Sequence, residues 1–326
     1  MTFVAIEEHW TTPQLTAALR KLPEESRDDS LAFNEMGDNL SRLEDIGEAR
    51  IAAMDEQGVD IQVLSLAPPA TGPLAAADAV PLSRDTNDLA AEAVRRHPTR
   101  LRAMCTLPMA DPAAVAGELE RAAGLGFVGA MVYGRTGETA LDDPCYEDLF
   151  ATAAALGRPI FIHPQIPPRA VREAAYGGFE PMTSLALSTF SWGWHLEAAL
   201  AALRLIARGT FDRHPDLQIV LGHWGELLLF WSDRTDSLAR IAGLEQKTSD
   251  YLRTNVHITS SGMLSPALLH HALEVTTVDR LLFSTDYPFQ RPGRTEIRQF
   301  LTEFGTEEER HKFTSGNARK LFRIDA

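Results

Sequence analysis

Eight short apolar runs recur along this chain, beginning near Val4, Val63, Arg102, Val128, Ile160, Ile219, Val256 and Leu282, with helical or helix-length segments between them. A parallel strand covered on both faces reads as such a run, and its parallel neighbour is reached only through a crossover of about helix length. Repetition of that unit predicts an α/β fold, a (β/α)8 TIM barrel, as a single domain over residues 1–326. A doubly wound open sheet built from the same units is the competing architecture, because periodicity does not separate an open sheet from a closed one. With 44% hydrophobic residues the chain can fill one large core, and no linker divides it.

The connecting segments carry their own stop signals. Gly58 follows a helical pattern over Leu43–Gln57, His97-Pro98 stops one over Ser83–Arg96, and Asp111-Pro112 opens one that runs to Gly124. Gly157 and Gly209 end the patterns Pro144–Leu156 and Leu196–Arg208, and Leu227–Leu244, Pro266–Val275, Glu296–Phe304 and Asn317–Phe322 complete the set. Two stretches break the alternation. Arg20–Asn39 is polar and acidic with Pro23 inside it, and Gln165–Thr189 is rich in Pro and Gly; both predict long loop insertions at the mouth of the barrel.

The formal net charge is -14, from 45 acidic and 31 basic residues without a basic run, which argues against a nucleic-acid partner or an anionic membrane surface. The start, M-T-F-V-A-I-E-E, lacks the basic region of a signal peptide, and no apolar run is long enough for a bilayer, so a cytoplasmic protein is expected. Cys105 and Cys145 are too few for a disulfide framework and read as reduced structural thiols.

In a parallel barrel the carboxyl ends of the strands line one mouth. The first run ends in Glu7-Glu8-His9, where alternation puts Glu7 and His9 on one face and Glu8 on the other. Further along, one run ends in His163, another breaks at Gly222 into His223 and Glu226, and the last ends in Asp286. A lone histidine after a strand is more often a structural, hydrogen-bonded residue. Four strand ends agreeing on imidazole and carboxylate point instead to one divalent ion, since neutral imidazole with carboxylate oxygen suits zinc, manganese or iron. The remaining candidates have plainer readings. His97 and His214 precede prolines on the opposite rim, His257 lies within a strand, and His270-His271 fall on an outer helix. Trp192, Trp194 and Trp224 suit a pocket wall or ordinary core, and Arg234 suits a surface ion pair unless the substrate is an anion.

Together, I-E-E-H near the start, F-I-H-P at 161–164, L-G-H-W-G-E at 221–226, H-I-T-S-S-G at 257–262 and F-S-T-D-Y-P-F at 283–289 resemble the amidohydrolase superfamily. The resemblance is to its non-oxidative aromatic-acid decarboxylases, which act on gamma-resorcylate, 2,3-dihydroxybenzoate or 5-carboxyvanillate; aminocarboxymuconate-semialdehyde decarboxylase is more distant. It extends through R-H-P-T-R-L at 96–101 and G-N-A-R-K-L-F at 316–322. It implies a barrel with one divalent metal ion, Zn2+ or Mn2+, held by Glu7, His9, His163 and Asp286, and His223 beside the substrate with Glu226 orienting it. Arg234 matches an arginine that meets a substrate carboxylate in a neighbouring subunit, which implies a homodimer or homotetramer; Arg50 in E-A-R-I-A-A-M-D-E-Q-G matches another such arginine. Where close benzoate decarboxylases tend to read H-P-R-N-P, this chain has His163-Pro164-Gln165-Ile166-Pro167, a departure that bears on the substrate.

The expected reaction is decarboxylation of an ortho-hydroxylated benzoate-like acid, a small aromatic carboxylate, with the metal as Lewis acid and template and Asp286 or His223 protonating the ring carbon. A hydrolase opening a lactone or amide would use the same ligands, with Asp286 as base. A non-catalytic barrel would not need polar ligands at several strand ends.

Overall fold

The computed structural model describes residues 1–325. Its strands are β1 (Val4–Trp10), β2 (Ile61–Leu66), β3 (Leu101–Thr106), β4 (Gly129–Tyr133), β5 (Ile160–His163), β6 (Ile219–Leu221), β7 (Val256–Thr259) and β8 (Leu281–Leu282). They pair in parallel and in sequence order. The ring closes where Ile6 N–H donates to Phe283 O at 3.3 Å and His9 N–H to Tyr287 O at 2.7 Å. That closure excludes the open sheet. A small antiparallel hairpin, Arg135–Thr136 with Thr139–Ala140, projects after β4.

Inward-facing Val4, Ile6, Val63, Met104, Met131, Phe161, Val220 and Leu282 fill the barrel, and Ala318, Phe322 and Ile324 seal its floor. The alternate residues, such as Leu64, Leu101, Ile160 and Leu221, pack outward under the helices. Gly58 and Gly157, at φ 80° and 59°, end the helices Glu48–Gln57 and Glu147–Leu156 in the left-handed conformation that glycine adopts without steric cost.

Several boundaries differ from the sequence pattern. The helix ending at Arg96 begins at Ala76 and carries Pro81 inside it. Leu43–Gln57 divides into Asn39–Leu43 and Glu48–Gln57. The insertion Gln165–Thr189 is not structureless, since it contains the helices Arg169–Ala175 and Pro181–Ser188. It touches the other insertion, Arg172 pairing with Asp29 at 2.6 Å, and just after it Phe190 meets Phe33 edge-on at 5.0 Å between centroids.

Candidate metal centre and its imidazole pair

β1 continues past Ile6 through the acidic residues to Trp10, paired with β2 as His9↔Ser65 and Trp10↔Leu66. Between Ala5 and Glu8 the register slips by one residue, a β-bulge. The extra residue lets both Ile6, in the inner core, and Glu7, at the mouth, face the barrel interior. Glu8 points to the outer side. There it accepts from Thr285 N at 2.8 Å, Thr285 Oγ1 at 2.6 Å and Gln62 Nε2 at 3.0 Å. Burial is the dominant influence on Glu8 and pushes its carboxyl up to about 8 against those bonds.

Ligand atoms of Glu7, His9 and His163 all lie within 4.8 Å of one another, and all three residues are buried. One carboxylate oxygen of Glu7, Oε2, is held by hydroxyls: Thr259 Oγ1 at 2.8 Å, Ser284 Oγ at 3.4 Å and a short bond from Ser261 Oγ. The other, Oε1, is buried without a hydrogen bond, as is His9 Nε2. His163 Nδ1–H donates to the Pro164 carbonyl at 2.7 Å, which leaves Nε2 facing Glu7 Oε1 at 3.7 Å. Burial, reinforced by His9 and His223 nearby, holds the His163 imidazole well below its usual range, so it is neutral with a free lone pair. Asp286 completes the group, its Oδ1 3.3 Å from His9 Nε2. Asp286 adopts φ 60°, a left-handed conformation that is costly for a non-glycine residue. Orphaned lone pairs cost about 1–3 kcal/mol each when buried, and here they converge on one place with an imidazole nitrogen and a carboxylate. This donor set fits one divalent cation.

The loop after β6 is backbone-strained. His223, Trp224, Glu226 and Leu227 all have positive φ, from 46° to 67°. It is held by His223 N–H donating to Ser261 Oγ at 2.8 Å and Trp224 Nε1–H to Met263 O at 2.8 Å. At Gly222 a Cβ would stand 3.0 Å from Glu7 Oε1 and 3.1 Å from Glu226 Oε1, so a side chain there would crowd both carboxylates. His223 Nδ1 donates to Glu226 Oε1 at 2.8 Å. Burial works against a charged His223, but the Glu226 carboxylate, followed by Glu7 and Asp286, outweighs it and raises the imidazole to about 10. Glu226 is correspondingly lowered to about 2, burial notwithstanding, by His223 and His195.

His195 was not among the residues singled out from sequence. It stands in S-W-G-W-H at the start of the helix Gly193–Ala207, and its Nδ1 meets Glu226 Oε2 at 2.6 Å while Nε2 meets the Phe190 carbonyl at 3.0 Å. His195, His223 and Glu226 also place ligand atoms within 4.8 Å of one another. Unlike the first cluster, this trio is joined by hydrogen bonds of 2.6 and 2.8 Å between its own members, with His195 Nε2 taken by the Phe190 carbonyl. His223 Nε2 is the atom left over. A signal existed in the chain, because His195 follows β5 through the mouth insertion, but it lies far from any strand end.

Other residues fall elsewhere. Arg50 is wholly buried, with its guanidinium donating to the carbonyls of His9 at 2.6 Å, Asp45 at 2.8 Å and Arg42 at 3.1 Å. It also lies 4.8 Å over the Tyr287 ring. In this structure the Arg50 guanidinium is therefore taken up by backbone carbonyls, one of them that of His9 at the end of β1. Arg234 is exposed on the helix Ser232–Ala242 and makes no ion pair among the described residues. Trp194 lies 6.3 Å from the His163 ring, Trp192 is exposed, and Trp224 stacks on Phe313 in the core.

A closed (β/α)8 barrel with imidazoles and carboxylates gathered at the carboxyl ends of its strands defines the class of mononuclear metal-dependent barrel enzymes. The chain belongs to the amidohydrolase family, whose family model matches residues 9–324. It is 35% identical to gamma-resorcylate decarboxylase of Polaromonas sp. (strain JS666), over 99% of this chain and 98% of that one. Among solved structures, 5-carboxyvanillate decarboxylase from Sphingomonas paucimobilis superposes with a TM-score of 0.89 at 32% identity, covering 99% of both chains. A dihydroxybenzoic acid decarboxylase from Polaromonas sp. JS666, solved with bound manganese and the inhibitor 2-nitroresorcinol, superposes with a TM-score of 0.85 at 34% identity, covering 100% of this chain and 98% of that one. No helix among the described residues is long and apolar enough to cross a membrane.

Proposed function

We propose that this protein is a carboxy-lyase: a metal-dependent, non-oxidative decarboxylase of an ortho-hydroxylated aromatic carboxylic acid, releasing CO2 and a phenol. The observation that carries this reading is the pairing of two devices at one mouth, an orphaned Glu7–His9–His163 ligand cluster and a carboxylate-held imidazole, His223, with one nitrogen uncommitted. Similarity to aromatic-acid decarboxylases over nearly the whole chain supports it.

Glu7, His9, His163 and Asp286 would hold one divalent ion, Zn2+ or Mn2+, and the manganese in the related solved structure favours Mn2+. When bound, that ion supplies Lewis acidity and a template for a phenolate and carboxylate side by side. The reaction breaks one C–C bond and forms one C–H bond, so the chain must deliver one proton to the ring carbon that loses CO2. His223 is the preferred carrier: it holds a proton at neutral pH, and Glu226 fixes its ring with Nε2 free. Asp286 is the second candidate.

Arg234 would act in its expected role only across an interface with a second copy of the chain. Exposed Phe230, Trp231 and Ile241 flank it, and Leu200 is exposed on the adjoining helix, an apolar face suited to a homodimer or homotetramer. Two free cysteines agree with a cytoplasmic setting. The test is CO2 release from a panel of hydroxybenzoates by metal-loaded protein with and without chelator; addition of water to a lactone or amide without CO2 would favour the hydrolase instead.

A further inference from the structure

A cavity lies at the end of the barrel opposite the mouth, where β5 to β8 begin. Its volume is about 510 Å³, and Arg158, Gln218, His257, Arg280, Lys320 and Arg323 line it. Arg280 Nη1 donates to Gln218 Oε1 at 2.8 Å and to His257 Nε2 at 3.0 Å. With Nε2 accepting, the neutral His257 ring carries its proton on Nδ1. That Nδ1 is buried without a partner, and so is Arg158 Nε. His257 and Arg158 both line the cavity, while these two atoms are themselves shut off from its open space.

The charge around the cavity is lopsided for so acidic a chain. Arg158, Arg280, Lys320 and Arg323 make no ion pair among the described residues. Two carboxylates, Asp216 and Asp279, share the lining, and Asp279 is engaged by Lys312 at 2.9 Å. The cations act on one another. Burial and then Arg280 and Lys320 push the His257 imidazole down, and burial and then Arg323 lower Arg158.

We propose that this cavity binds a small phosphorylated dianion, held by Arg158, Arg280, Lys320 and Arg323. Fixed guanidinium forks and a cavity wider than a bare phosphate suit a phosphate group carrying a small organic part. Arg158 precedes β5, Arg280 precedes β8, and Lys320 and Arg323 belong to the C-terminal helix Asn317–Phe322 and its cap. The bound anion therefore ties that helix to the barrel floor, and it acts on stability, independently of the chemistry proposed at the mouth.

The test is calorimetric titration and thermal unfolding of the metal-loaded protein with inorganic phosphate and with glycerol phosphate, against chloride at matched ionic strength. Saturable one-to-one binding that raises Tm is expected, with the double variant Arg158→Gln/Lys320→Gln binding about tenfold more weakly or worse. Tighter binding of glycerol phosphate identifies an ester as the natural form, and equal binding identifies the free ion; either supports the site. Equal affinity in the wild type and the double variant overturns it, as does a Tm rise that chloride reproduces. Lys320→Gln alone, on an exposed side chain, gives the same comparison if the double variant does not fold.

Discussion

Nδ1 of His195 lies 2.6 Å from Glu226 Oε2, while the other oxygen of the same carboxylate receives His223 Nδ1 at 2.8 Å. Glu226 thus stands between two imidazoles, one facing the mouth and one anchored to the Phe190 carbonyl. A carboxylate gripped from both sides cannot swing, and neither can the ring it orients. Replacing His195 by Ala is expected to lower kcat roughly 10–100-fold with little change in KM, since the loss concerns orientation of a neighbouring group. Added imidazole should restore part of the rate. An unchanged kcat in His195→Ala would remove His195 from this role.

The ligand cluster makes a prediction about folding as well as activity. Bound metal should raise thermal stability, by about 2.7 kcal/mol at a free concentration 100 times its Kd. Glu7→Gln should lose most of that gain, because the amide replaces the oxygen left free by Thr259, Ser261 and Ser284. Thermal unfolding with and without Mn2+, alongside elemental analysis, reads both; equal stabilisation of Glu7→Gln and wild type would contradict the ligand assignment.

Arg50 offers a clean contrast between two roles. If its buried guanidinium braces the carbonyls of His9, Arg42 and Asp45, Arg50→Met should destabilise the fold by about 2 kcal/mol or more, leaving acceptors unpaired. Denaturant unfolding measures this. A variant of normal stability with a greatly raised KM would restore the substrate-binding reading.

How much of this was legible beforehand depends on the physics of each element. The barrel was, because strands buried on both faces must be apolar runs and parallel pairing demands long crossovers; all eight strand starts fall within two residues of their expected positions. That Glu7, His9, His163, His223 and Asp286 come together at one mouth was legible because each lies at or just after the end of such a run. Glu7 nonetheless faces the interior only through a bulge after Ala5, which alternation alone does not reveal. His195 and the hydroxyls of Thr259, Ser261 and Ser284 were not singled out, because their partners are distant in sequence: 31 residues for His195 and Glu226, 252 for Thr259 and Glu7. The bonds of Arg50 to the carbonyls of His9, Asp45 and Arg42 were not legible, because a motif match carries residue type but not the direction of a guanidinium.

His257 predicts an acid-side stability effect. Its folded imidazole is lowered to about 3 by burial and by Arg280 and Lys320, against a usual value of 6.5. Between those values the unfolded chain binds the extra proton, so this contribution is complete above about pH 6.5 and is lost as pH falls towards 3, at up to about 1.4 kcal/mol per pH unit. His257→Gln keeps an acceptor for Arg280 but does not titrate, and should flatten the decline in stability between pH 6.5 and 4. The same slope in both proteins would show that the acid sensitivity lies elsewhere.

The most direct measurement is the CO2 yield from hydroxybenzoates bearing a hydroxyl ortho to the carboxylate, with metal content determined on the same sample, for wild type and Asp286→Asn. Wild-type protein with about one Mn2+ or Zn2+ per chain should release CO2 and the matching phenol, lose that activity to chelator, and regain it with metal, while Asp286→Asn falls by orders of magnitude. Stoichiometric metal without CO2 from any such acid, or full turnover in chelator, would contradict the decarboxylase assignment.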